Sequence, residues 1–199
     1  MEFVKKAILL SGGVDSICLT YGLMPDIAYT IDYGQTVAER EIYVSKYICE
    51  LLNIEHKIIQ INCRSLGAGT LADADNLSFA PSEEWWPYRN QLLITFAAMM
   101  GIKDGVSDLY LASVKSDKFH KDGTEEFYKL INETVSYQEG GLKVHCPTLN
   151  YYSHELVSKY NVPIDVLTIA HSCHISNLAC GKCSGCLKQL KVRHELKID

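Results

Sequence analysis

The run Ala7-Ile8-Leu9-Leu10-Ser11-Gly12-Gly13-Val14-Asp15-Ser16 constrains the fold more than any other stretch of this chain. Four apolar residues in succession read as a buried parallel strand. A Ser-Gly-Gly turn follows at once, and Ile17 to Leu23 can run on as a helix with Asp15 or Ser16 near its cap. A strand, a glycine turn and a helix start in that order make an anion site. Glycine lets the backbone approach closely and turn several N–H groups inward. The helix N-terminus adds positive partial charge, and the Ser11 and Ser16 hydroxyls add donors. Leu9 through Ser16 is therefore the first candidate binding surface. Neither G-x-x-x-x-G-K-[ST] nor G-x-G-x-x-G is present, so the turn is neither a P-loop nor a dinucleotide fingerprint.

Downstream, strand-like and helix-like segments alternate. Strands are expected at 27–31, 56–61, 108–113 and 142–146, and helices at 36–52, 91–101, 124–139, 153–160 and 187–196. That alternation predicts an α/β fold with a doubly wound, mostly parallel sheet. Ligands in such sheets sit at the carboxyl ends of strands, so the tip Asp32-Tyr33-Gly34-Gln35 joins the candidate site. Arg40, on the second helix, reads as solvated surface, and Asn53 as that helix's stop. Residues 62–88 show no period and carry Trp85 and Trp86, whose rings suit stacking on a heterocycle, a dimer anchor or loop core. Arg89-Asn90, just before an apolar helix, suits a phosphate or carboxylate clamp. The polar loop 115–122 holds Lys115, Asp117, Lys118 and Lys121, and Asp122 fits an N-cap position.

Four of the eight cysteines, Cys173, Cys180, Cys183 and Cys186, fall within fourteen residues as C-x6-C-x2-C-x2-C. In a chain expected to be cytoplasmic, that spacing reads as a metal site rather than a disulfide framework. Four thiolates make a closed tetrahedral Zn²⁺ site of structural type, with an iron–sulfur cluster as the rival and His171 and His174 as spare ligands. Two units are expected: 1–165, the α/β domain, and 166–199, a zinc-bound helical appendage too poor in apolar residues to hold itself. Lys188, Lys191, Arg193 and His194 make the last helix basic, and a solvated face is the simplest reading. A net charge of −5 argues against a protein that coats nucleic acid, and no apolar run is long enough to span a membrane.

Ser-Gly-Gly-Val-Asp-Ser resembles the PP-loop of ATP pyrophosphatases, which join a substrate oxygen to AMP and release pyrophosphate. With Asp-Tyr-Gly-Gln, Arg-Asn and the terminal cysteine cluster in this order, the whole chain resembles the 7-cyano-7-deazaguanine synthase family of the queuosine pathway. The resemblance implies ATP and Mg²⁺ held by Leu9–Ser16, Asp32 and Tyr33, with structural Zn²⁺ on the four cysteines. It implies Ser11, Asp15, Ser16, Arg89 and Lys115 as catalytic residues. Arg89, Asn90, Asp117, Lys118 and Trp86 are the implied contacts to a 7-carboxy-7-deazaguanine-like base, with ammonia as nitrogen donor.

The chain departs from the family around the substrate. Lys115 stands where a Glu is usual, the Ser-Gly-Tyr that follows is missing, Tyr88 replaces a Gly, and Ser153 replaces a Lys. An alternative keeps the acyl-adenylate and passes the deazaguanine to a protein amine, as in family relatives in antiphage operons; another is a PP-loop tRNA thiolase. A homodimer is a further expected partnership.

Overall fold

The computed structural model describes residues 4–198. Five strands, β1 (Lys6–Leu9), β2 (Ile27–Asp32), β3 (Glu55–Gln60), β4 (Asp108–Tyr110) and β5 (Lys143–His145), form one sheet in the order β3-β2-β1-β4-β5. All pairings are parallel, with Ala7 opposite Ile27 on one side and Leu109 on the other. Strand order reverses between β1 and β4, which leaves a crevice at their carboxyl ends.

Parallel strands buried on both faces favour apolar runs, and the centres of β1 (Ala7, Ile8) and β2 (Ile27 to Tyr29) supply them. Ala7, Ile27, Tyr29 and Leu109 pack on one face against α4 (Arg89–Asp104) and α5 (Glu125–Ser136), through Ile94, Ala97 and Ile131. Ile8, Leu10 and Ala28 pack on the other. There they meet Ile17 of α1 (Val14–Leu23), Ile48 of α2 (Ala38–Leu52) and Leu156 of α6 (Ser153–Lys159). Each fully buried Leu or Ile among them contributes about 1.5–3 kcal/mol.

Several expectations are corrected here. Asp15 and Ser16 do not cap α1; Gly13 does, and both residues stand in the first turn. Arg89 and Asn90 belong to the first turn of α4 rather than preceding it. Thr124, not Asp122, caps α5 by accepting the Phe127 amide at 3.3 Å. Asn53 does end α2, in the left-handed conformation with φ 54°. The proposed boundary at 165/166 falls inside a helix, α7 (Ile164–Ile169). Val166, Leu167 and Ala170 join the core cluster of Ile8 and Leu10, and so does Val192 of α8 (Ser184–Glu195). The C-terminal segment thus has an apolar anchor of its own. No described helix is long and apolar enough to cross a membrane.

The long stretch 62–88 is folded over the β2 tip. It contains α3 (Gly69–Ala72), and the Thr36 amide donates to the Leu71 carbonyl at 2.8 Å. Trp86, 2% exposed, meets Tyr33 edge-on with centroids 4.9 Å apart. That edge contact makes it loop core.

Gly22 marks the closest approach of α1 to the end of α6, since a Cβ there would run into the Tyr160 ring. In an open helix Gly→Ala stabilises by about 1 kcal/mol. Gly22→Ala is expected instead to lose about 1–3 kcal/mol by overpacking, seen as a lower urea midpoint; a raised midpoint would contradict this packing.

Candidate active site and metal centre

The turn after β1 is braced by its own serines. The Ser16 hydroxyl donates to the Gly13 carbonyl at 3.0 Å and accepts the Ser11 amide at 3.3 Å. The Ser11 hydroxyl lies 3.2 Å from it. Gly12 takes φ +73°, and a Cβ there would sit 2.9 Å from Val44 Cβ and 3.2 Å from the Glu41 carbonyl. Only glycine fits that conformation and space without strain. The chain beyond α7 returns to this turn, where the His171 amide donates to the Gly12 carbonyl at 2.9 Å.

Asp15 carries the most unusual electrostatics. Its Oδ2 lies 2.8 Å from Lys188 Nζ, while Oδ1 is buried with no partner. Burial pushes its pKa up, and the Lys188 ammonium opposes that rise. Lys188 also donates to Asp117 Oδ1 at 2.8 Å, and Asp117 Oδ2 accepts the Val114 amide at 3.0 Å. Turn, β4 loop and C-terminal helix are thereby tied through one ammonium. A buried carboxylate oxygen without a donor beside a helix start suits a hard divalent cation such as Mg²⁺, which takes oxygen ligands.

This turn opens onto a cleft of about 790 Å³ at the reversal of strand order. That size lies within the ~300–1,000 Å³ usual for small-molecule sites. Of the residues singled out in the sequence, the cleft wall gathers Leu9, Leu10, Ser11, Gly13, Val14, Asp15 and Ser16. It also includes Tyr33, Arg89, Asn90 and Asp117. Gly12 is absent from that wall and acts through the turn's shape. Asp32 is turned back to cap its own loop, accepting the Gly34 amide at 3.1 Å. Lys115 and Lys118 also lie off the wall: the first sits over the Tyr152 ring at 4.8 Å, the second donates to Asn150 at 3.0 Å. Both are exposed, and solvation of their ammonium groups favours that placement. Trp86 is likewise off the wall, held in the core by its contact with Tyr33. Asn90 is already engaged, donating to the Asp122 carbonyl at 2.8 Å.

Three wall residues carry charge that sequence reading had assigned to the surface or passed over. Glu41 accepts from Gln35 Nε2 at 2.7 Å, and burial raises its pKa to about 7. Arg89 faces it and also faces the Tyr33 hydroxyl and Asp122. Glu84 is held down at about 2, chiefly by the His120 imidazole; the nitrogen stands 3.9 Å from its carboxylate. Lys188 is the third, taken in the sequence for solvated surface. Glu41 falls on α2's polar face and Lys188 on a basic helix, so periodicity carried no sign of the cleft. That α2 and α8 both turn these side chains toward the cleft follows from the topology alone.

The four sulfurs of Cys173, Cys180, Cys183 and Cys186 lie within 4.8 Å of one another. Cys180 and Cys186 are 3.9 Å apart, as are Cys173 and Cys183. A tetrahedral zinc site with Zn–S of about 2.3 Å has S···S edges of roughly 3.8 Å, so the donor set fits zinc. The Cys183 and Cys186 amides each donate to the preceding motif sulfur at 3.4 Å, which favours thiolates. The Lys182 and Cys183 amides bring Cys180 down to about 6. His171 and His174 stand outside this sulfur group.

The family model "Queuosine biosynthesis protein QueC" matches residues 5–196. The chain belongs to the QueC family. Among the curated relatives of this QueC chain is the 7-cyano-7-deazaguanine synthase of Methanocaldococcus jannaschii, 26% identical, covering 94% of this chain and 93% of that protein. Those of Campylobacter concisus and Campylobacter fetus are 29% and 27% identical, the latter covering all of this chain and 97% of its own.

Elemental analysis should find one zinc per chain. Structural zinc supplies on the order of 10 kcal/mol of apparent folding energy. Cys183→Ser is therefore expected to yield a metal-free, insoluble chain; a soluble variant with native melting would contradict a structural metal. Glu41 tests the wall electrostatics. Its folded pKa stands above the unfolded value, so the native state binds the extra proton, and stability falls as pH rises from 4.5 to about 7. Glu41→Gln should remove that slope in urea midpoints, with no further divergence above pH 7. An unchanged slope would show Glu41 solvated.

Proposed function

We propose that this chain converts a 7-carboxy-7-deazaguanine-like base to the nitrile in two ATP-dependent stages, by way of the amide. The observation that carries this reading is the Ser-Gly-Gly-Val-Asp-Ser turn facing a cleft of about 790 Å³ at the reversal of strand order. Family membership and relatives named 7-cyano-7-deazaguanine synthase support it.

A carboxylate is a poor electrophile because its oxygen leaves badly. Attack of that oxygen on the α-phosphorus of ATP expels pyrophosphate and makes AMP the leaving group. Ammonia then displaces AMP to give the amide. A second adenylation, on the amide oxygen, followed by loss of AMP, gives the nitrile. Positioning and charge neutralisation dominate such transfers. In this reading the amides and hydroxyls of Ser11 to Ser16 hold the phosphates. Mg²⁺ at Asp15 neutralises charge on them when bound. Arg89 orients the substrate carboxylate, with Tyr33 and Glu41 behind it.

Protons must also leave. Ammonia is nearly all ammonium at neutral pH, and the amide nitrogen sheds two protons on the way to the nitrile. A wall carboxylate with a pKa of about 7, Glu41, suits a proton acceptor. Asp117 and Glu84 are the wall carboxylates available to the N1–H and 2-amino edge of the base, the first also held by Lys188 and the Val114 amide, the second facing His120.

Protein, Mg·ATP, 7-carboxy-7-deazaguanine and ammonium, followed by mass spectrometry, test the reading. The wild type should give AMP and the nitrile mass. Asp15→Ala should cut AMP release at least ~100-fold while keeping its zinc. A wild type that yields no AMP, or an Asp15→Ala variant that yields as much, contradicts the proposal.

A further inference from the structure

We propose that Lys188 supplies the phosphate-neutralising cation of this site, delivered from the C-terminal helix to the buried carboxylate in the first turn of α1. The inference rests on the function proposed above.

Ser153, at the start of α6, is 5% exposed and its hydroxyl lies against Asp15. A serine there leaves the Asp15 carboxylate without a cation from its own neighbourhood. Lys188 reaches the same carboxylate from the other end of the chain, 2.8 Å from Asp15 Oδ2 and 2.8 Å from Asp117 Oδ1. It lines the cleft beside the Ser11–Ser16 turn. Two carboxylates around one ammonium leave a net negative charge, so the lysine is not there to bind a base or an acid by itself. The arrangement makes sense when polyanionic phosphate and a divalent cation enter together. With a divalent cation held by Asp15, the Lys188 ammonium would be freed to face phosphate oxygens. In the chemical step the substrate oxygen bonds to the α-phosphorus while the bridging α–β bond breaks. The electron pair leaves on pyrophosphate, and Lys188 meets that growing charge without giving up a proton. A flexible point charge fits this task better than a planar guanidinium, because it can follow the phosphate from one position to the next.

Because Ser153 borders the same carboxylate, a lysine placed there allows a rescue experiment. Substrate-dependent exchange of labelled pyrophosphate into ATP reports the first adenylation, and calorimetry with Mg·ATP reports binding alone. Lys188→Ala should lower exchange at least ~100-fold, as expected on loss of one preorganised cationic donor. Zinc content should stay native and the chain folded, with a lower melting temperature because Asp15 and Asp117 lose their shared ammonium. Adding Ser153→Lys to that variant should restore exchange at least tenfold and recover the lost Mg·ATP affinity. Lys188→Ala within threefold of wild type overturns the inference, and so does a folded double variant with no recovery in either readout. Failure of the proposed function looks different: wild type then shows no exchange with 7-carboxy-7-deazaguanine, while the calorimetric comparison still decides whether the lysine serves phosphate.

Discussion

A carboxylate taken out of water at the first turn of α1 sets the terms for the rest of the molecule. Leaving a buried charge unpaired is costly, and an ammonium at close range offsets the loss of hydration only where the geometry is good. Asp15 meets Lys188 at 2.8 Å through one oxygen and keeps the other oxygen unpartnered. The partner comes from the far end of the chain. Its position depends on α8, whose first turn holds Cys186 and whose cap is Cys183. The four-cysteine cluster thus adjoins the helix turn that places this charge, and Cys173 itself lines the cleft.

The sheet makes this meeting possible. β1 lies in the middle, flanked by β2 and β4, so its carboxyl end is where the crossovers part. Apolar side chains on both faces, Ala7 and Ile8 in succession, hold the strand in place. The serine-braced turn then projects its amides from a rigid base rather than from a loose loop. Trp86, wedged against Tyr33, does the same for the tip of β2. Its ring contributes rigidity, not stacking on a ligand.

Much of this was legible in the residues. The run of apolar residues before Ser-Gly-Gly, the β-branched strand at 27–31 and the cysteine spacing each have one dominant physical reading, and the described fold has all three. Local signals failed where a residue's surroundings come from distant chain. Lys115 and Lys118 sit in a polar loop near the cleft, yet their ammonium groups turn outward to Tyr152 and Asn150. Lys188 sits on a basic helix that looked solvated, yet topology swings it inward. Asp122 matched a capping pattern, but the Asn90 side chain holds that loop and Thr124 became the cap. Pattern reading assigns a residue to a helix face; only tertiary packing says what that face meets.

The most direct test of the account is a crystal structure with Mg²⁺ and an ATP analogue that cannot be cleaved between its α- and β-phosphates. The account predicts the terminal phosphates against the amides of Gly13 to Ser16, with the metal on the Asp15 oxygen that has no donor. Phosphates bound elsewhere, with the turn and Asp15 unchanged, would contradict it.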